Sequence, residues 1–73
     1  MEERIFKVLK ETFNLDQVDT TLSQANCIKW DSMNHLNLII ALESEFEVSF
    51  EPEEMAVMKS YETISTVLKE KLG

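Results

Sequence analysis

Asp31, Ser32 and His35 place a carboxylate, a hydroxyl and an imidazole within one helical turn of this 73-residue chain. Serine and histidine three residues apart are neighbours on a helix surface, and a serine activated by a histidine is a common nucleophile. A working triad also needs an orienting partner for the histidine, an oxyanion hole and a substrate cleft. A chain this short offers little material for such a cleft, so no catalytic residue is expected. His35 is the only histidine and Cys27 the only cysteine, which leaves neither a metal-ligand set nor a disulfide. A lone cysteine suits a reducing cytosol. The single glycine is Gly73, so there is no glycine-rich phosphate loop. The carboxylates fall mainly on polar helix faces, with no evident apolar pocket to raise a pKa.

The elements that must position Ser32 follow from hydrophobic periodicity. Ile5, Val8, Leu9 and Phe13 recur at helical spacing from Glu2 to Asn14, with Phe6 beside them, and predict a first helix. Leu15 to Lys29 is rich in Asp, Asn, Thr, Ser and Gln. Its length predicts a functional loop or a short helix of its own, with Leu15, Val18, Leu22 and Ile28 pinning it across the other helices. A second helix is expected to start at Asp31-Ser32, with Asp31 as N-cap, and to run to about Glu47. Met33, Leu36, Ile39, Ile40, Leu42 and Phe46 read as its broad apolar stripe. Pro52 suits the first turn of a short third helix, from Glu53 to about Met58. Ser60 caps a fourth helix whose inner face is Ile64, Val67, Leu68 and Leu72, with Lys69 and Lys71 near its C-terminal end. No stretch alternates at period two. The fold class is therefore all-α, a four-helix bundle with a long first loop and a short third helix, forming a single domain over residues 1–73.

Fourteen acidic residues against seven basic ones give a formal net charge of −7. Nucleic acid and anionic membrane surfaces are disfavoured as partners, since both need clustered Lys and Arg. Seven acids and no Lys or Arg lie between Asp31 and Met58. Such a window reads either as a solvated face or as a docking surface for basic patches. The longest apolar stretch, Leu38 to Leu42, is too short to cross a bilayer, and the first residues lack a secretory pattern. A cytoplasmic location is expected.

Trp30-Asp31-Ser32-Met33, with the helix that ends in Ala41-Leu42-Glu43-Ser44-Glu45-Phe46, resembles the modification site and recognition helix of acyl carrier proteins. Glu51-Pro52-Glu53-Glu54 resembles the acidic-proline segment that follows in that family, and the likeness covers essentially the whole chain. The resemblance implies 4′-phosphopantetheine, donated by coenzyme A and attached to Ser32 by a separate magnesium-dependent phosphopantetheinyl transferase, with Asp31 and Met33 flanking it. Acyl groups would then travel as thioesters on that arm. It also implies docking to acyl-loading and acyl-transferring enzymes with basic patches, through Met33, Glu43, Glu45, Glu47, Glu53 and Glu54. Leu36, Ile40, Leu42, Phe46 and Ile64 are the candidates for a cavity that shelters the acyl chain, core packing being the plainer use of the same residues. A monomer suits a protein that visits several active sites.

The chain departs from the fatty-acid-synthesis type. Lys29-Trp30 precedes the aspartate, and Asn34, His35 and Asn37 stand where acids are common early in that helix. Trp-Asp-Ser-Met-x-His-Leu is closer to discrete carriers of specialised pathways, such as secondary metabolites or acylated surface sugars. The Asp-Ser-Met triplet also resembles D-alanyl carrier proteins of cell-wall modification. Outside this family, the competing reading is an unmodified acidic helical module that binds a basic partner. Trp30 reads as a packing residue and Cys27 as a small loop filler. His35 reads as a partly exposed helix residue, and Met55 and Met58 as core.

Overall fold

The computed structural model describes residues 1–73. Four α-helices run in the order α1 (Glu2–Phe13), α2 (Ser32–Phe46), α3 (Pro52–Val57) and α4 (Tyr61–Leu72), with a 3₁₀ turn at Gln24–Asn26 in the long first connection. The all-helical bundle and its element order match the expectation from periodicity. No helix is long and apolar enough to cross a membrane.

Each helix end has a local cause. Glu2 and Glu3 sit in the first turn of α1 and Lys10 in its last, where each charge complements the helix dipole. Asn14 then takes a left-handed conformation, φ 54°, and its N–H donates to the Lys10 carbonyl. The Thr63 N–H donates to Ser60 Oγ at 3.2 Å and opens α4. Pro52 is itself the first residue of α3, one position earlier than expected, and the helix ends at Val57.

One cluster of fifteen buried residues, all apolar or aromatic, holds the helices together. Ile5, Val8, Leu9 and Phe13 of α1 meet Leu38, Ile39, Leu42 and Phe46 of α2 and Tyr61, Ile64, Val67 and Leu68 of α4. The long connection is tied down by backbone pairing: Gln24 N–H donates to Lys59 O at 2.8 Å, and Tyr61 N–H to Leu22 O at 2.9 Å. Leu15, Val18, Leu22 and Cys27 lean against the core from this segment.

The structure departs from several expectations about apolar residues. Ile28 is 97 % exposed and pins nothing, because Trp30, two residues on, fills the core position at that end of the loop. Met33, Leu36 and Ile40 of α2 are 75 %, 59 % and 64 % exposed, while Leu38, absent from the expected stripe, is fully buried. α2 is apolar around most of its circumference, so periodicity alone does not select which face turns inward. The acyl-cavity candidates are thereby split. Leu42, Phe46 and Ile64 are buried in the core, whereas Leu36 and Ile40 are exposed. Leu72, the last residue of α4, also lies exposed at the bundle's end.

Candidate functional site

The head of α2 is built by the six residues from Lys29 to Asn34. Asp31 is extended, φ −91° and ψ −177°, and its Oδ1 accepts the Asn34 N–H at 2.8 Å. Its backbone carbonyl accepts from the His35 N–H at 2.8 Å. Asn34 Nδ2 donates back to the Lys29 carbonyl at 2.8 Å, and Lys29 Nζ reaches the Asn14 carbonyl at 3.2 Å, so this end of the loop is tied to both helices. Ser32 is the first helical residue and is exposed. The capping work belongs to Asp31, which leaves the serine hydroxyl without that structural duty.

Trp30 immediately precedes the cap. It is 2 % exposed, and its ring sits 5.0 Å from that of Phe13. The indole Nε1–H donates to His35 Nδ1 at 3.0 Å, and His35 Nε2 lies 2.9 Å from the Met55 carbonyl oxygen. With both ring nitrogens engaged, His35 is not free to accept a proton from Ser32. Trp30 is thus a packing residue, and His35 bridges α2 to α3 rather than simply standing half-exposed.

An open cleft of about 540 Å³ lies beside Ser32, lined among others by His35, Leu36, Met55, Ala56 and Lys59. That volume falls in the usual range for small-molecule sites, about 300–1,000 Å³. Lys59 is the only charged residue among its lining. Sequence reasoning missed Lys59 and Ala56, because they come from the end of α3 and the connector after it, far from Ser32 in the chain.

No family model matches this chain. The acyl carrier protein of Petrotoga mobilis (strain DSM 10674 / SJ95) is 33 % identical to it, over 97 % of this chain and 86 % of that protein. This chain belongs to the acyl carrier protein family. As a member of that family it is a carrier and not itself a catalyst.

The carrier's acids are distributed differently from the expected docking surface. Glu43 is half-buried, and its Oε2 accepts the Phe50 N–H at 2.9 Å, fixing the connector after α2. Glu45 pairs with Arg4 at 3.0 Å and with Lys7 at 3.6 Å. Glu54 pairs with Lys71 at 2.8 Å and accepts the Glu51 N–H at 2.7 Å. The Arg4 guanidinium holds the Glu45 carboxyl below the usual glutamate range, with Lys7 adding to the effect. The Glu51 N–H, and then the Lys71 ammonium, do the same for Glu54. Three of the five glutamates expected to meet partners are therefore engaged within the carrier, and Glu47 and Glu53 are the two that stand exposed. Met33 is freely accessible beside Ser32.

Proposed function

We propose that Ser32 carries 4′-phosphopantetheine and that this chain delivers acyl groups to partner enzymes from that position. One observation carries the reading: Ser32 is an exposed first residue of α2 whose neighbour, Asp31, performs the capping that would otherwise explain a serine there. The surroundings fit the group. A phosphodiester on Ser32 would lie at the positive end of the α2 dipole, near first-turn N–H groups and with Lys59 in the adjoining cleft. When attached, the group supplies a terminal thiol that holds the acyl cargo as a thioester. Asp31 fixes the helix start that presents the hydroxyl, and Met33 offers an exposed apolar contact beside it. Tethering raises the cargo's effective concentration at a partner's active site without tight binding.

A cytoplasmic carrier acting as one unit, in a specialised pathway rather than in bulk fatty-acid synthesis, suits the charge pattern. From Ser32 to Leu42, α2 holds no acid, so partners with basic patches would find their charge complement at exposed Asp31, Glu47 and Glu53 rather than along the first three turns of α2. The test is direct. Incubation with coenzyme A, magnesium and a broad-specificity phosphopantetheinyl transferase should raise the mass by one phosphopantetheine, and Ser32→Ala should abolish the gain. A chain left unmodified by several such transferases is an acidic interaction module instead. Loading assays on the modified protein, with acyl-transfer enzymes and with D-alanine-activating enzymes, then identify the cargo.

A further inference from the structure

The shortest α-helix of the bundle is α3, and the structure shows what holds it. Its six residues include none that is fully buried. Phe50 before it and Met58 after it are core residues, and the Glu54–Lys71 pair ties its outer side to α4. On the side facing Ser32, the polar contact is His35 with the Met55 carbonyl, at 2.9 Å. That carbonyl lies in the last turn of a helix, where backbone oxygens lack intrahelical partners. Its other donor, the Met58 N–H, is at a long 3.4 Å.

The donor and acceptor rules settle the state of the ring. An indole N–H can only donate, and a backbone carbonyl can only accept. Nδ1 therefore carries no proton and receives the Trp30 N–H, while Nε2 carries the proton and donates to Met55. The indole is buried, so its N–H needs an acceptor. The relay from Trp30 through His35 to Met55 links the end of the long loop, α2 and α3 in one directed chain.

We propose that His35 is a positioning residue: as the Nε2–H tautomer it latches α3 to the head of α2 and so sets the wall of the cleft beside Ser32. The cleft's use as the seat of a group on Ser32 rests on the carrier reading above; the latch does not. Phenylalanine at position 35 keeps a ring but leaves the Trp30 N–H and the Met55 carbonyl without their partner. Glutamine can accept and donate from one side chain, as the imidazole does.

The test uses the full, unmodified chain, so its result judges the latch whether or not Ser32 accepts phosphopantetheine. Native-state hydrogen exchange by NMR should show the Met55–Met58 amides exchanging about tenfold faster in His35→Phe, roughly the factor that one hydrogen bond supplies. Amides of α1 should keep their rates, and His35→Gln should recover most of the protection. Nitrogen-15 spectra of the wild-type ring should show the proton on Nε2, a measurement that stands even where the phenylalanine variant fails to fold. A proton on Nδ1 overturns the proposal. Equal acceleration in α1 and α3, unchanged α3 rates in His35→Phe, or no recovery in His35→Gln does the same.

Discussion

Asp31 and Ser32 are adjacent, yet the structure gives them separable duties that a pair of substitutions can distinguish. The Asp31 carboxylate accepts the Asn34 N–H at 2.8 Å, while Ser32 stands exposed one residue later. Removing an N-cap side chain costs about 1 kcal/mol, within a range of about 0.5–2. For a domain of this size each 1 kcal/mol moves Tm by about 4–8 °C, so Asp31→Ala should melt several degrees below wild type. Asparagine caps about as well as aspartate, and Asp31→Asn should recover most of that loss. Ser32→Ala should stay within about 0.5 kcal/mol of wild type, since alanine at an exposed helical position is intrinsically favourable, while losing all modification by a transferase. Thermal melts followed by far-UV circular dichroism, paired with mass spectrometry, read both duties. If Ser32→Ala costs as much as Asp31→Ala, the serine is a structural cap and the assignment of duties is wrong.

Trp30→Ala should cost about 3–5 kcal/mol by urea denaturation, because the indole is buried against Phe13; a loss below about 1 kcal/mol would show that the loop end is not anchored there. Glu43→Ala should cost about 1–3 kcal/mol by releasing the Phe50 N–H, whereas Glu53→Ala, at an exposed site, should change stability by less than about 0.5 kcal/mol. Equal effects in that pair would mean Glu43 is no more structural than a surface acid. Glu47→Gly should stabilise the fold by about 1 kcal/mol, since Glu47 sits at φ 54°, where a side chain is strained and glycine is not. A destabilised glycine variant would contradict that conformation. The folded state holds Glu45 and Glu54 below the ordinary glutamate value of 4.5, so their contribution is present above that pH and is lost as pH falls beneath it. Tm plotted against pH should fall less steeply below 4.5 in the Glu45→Gln/Glu54→Gln double variant, and an unchanged slope would sink the assignment.

Much of the fold was legible because local rules govern it. The α1 stripe, Asp31 and Ser60 as caps, and proline in the first turn of α3 each depend on residues within one turn of one another. What failed was the choice of face. Around α2, Met33, Leu36 and Ile40 are as apolar as Leu38, Ile39 and Leu42, so the inward side is decided by what α1 and α4 present to it. Ile28 and Trp30 illustrate the same point at shorter range: both are apolar and two residues apart, yet one is exposed and the other buried. The pairing of Leu22 and Gln24 with the segment around Ser60 joins residues almost forty positions apart. No periodicity reports it.

The candidate site divides along the same line. Asp31 and Ser32 stand out because a cap and an exposed first residue are local features. The Trp30–His35–Met55 relay spans separations of five and twenty residues, and a lone histidine in a sequence gives no hint of which partners it will find. Charge misleads for a related reason. Composition counts every carboxylate equally, but Arg4 and Lys7 reach Glu45 from α1, Lys71 reaches Glu54 from α4, and the Phe50 N–H engages Glu43. A net charge of −7 attracts basic surfaces at long range, which speeds encounter. Orientation at contact depends instead on which charges remain unpaired, and here tertiary structure has withdrawn most of the expected ones from the vicinity of α2. On the proposed reading, a partner docking at Ser32 would meet exposed Met33, Leu36 and Ile40 beside the Asp31 carboxylate, rather than a continuous acidic surface.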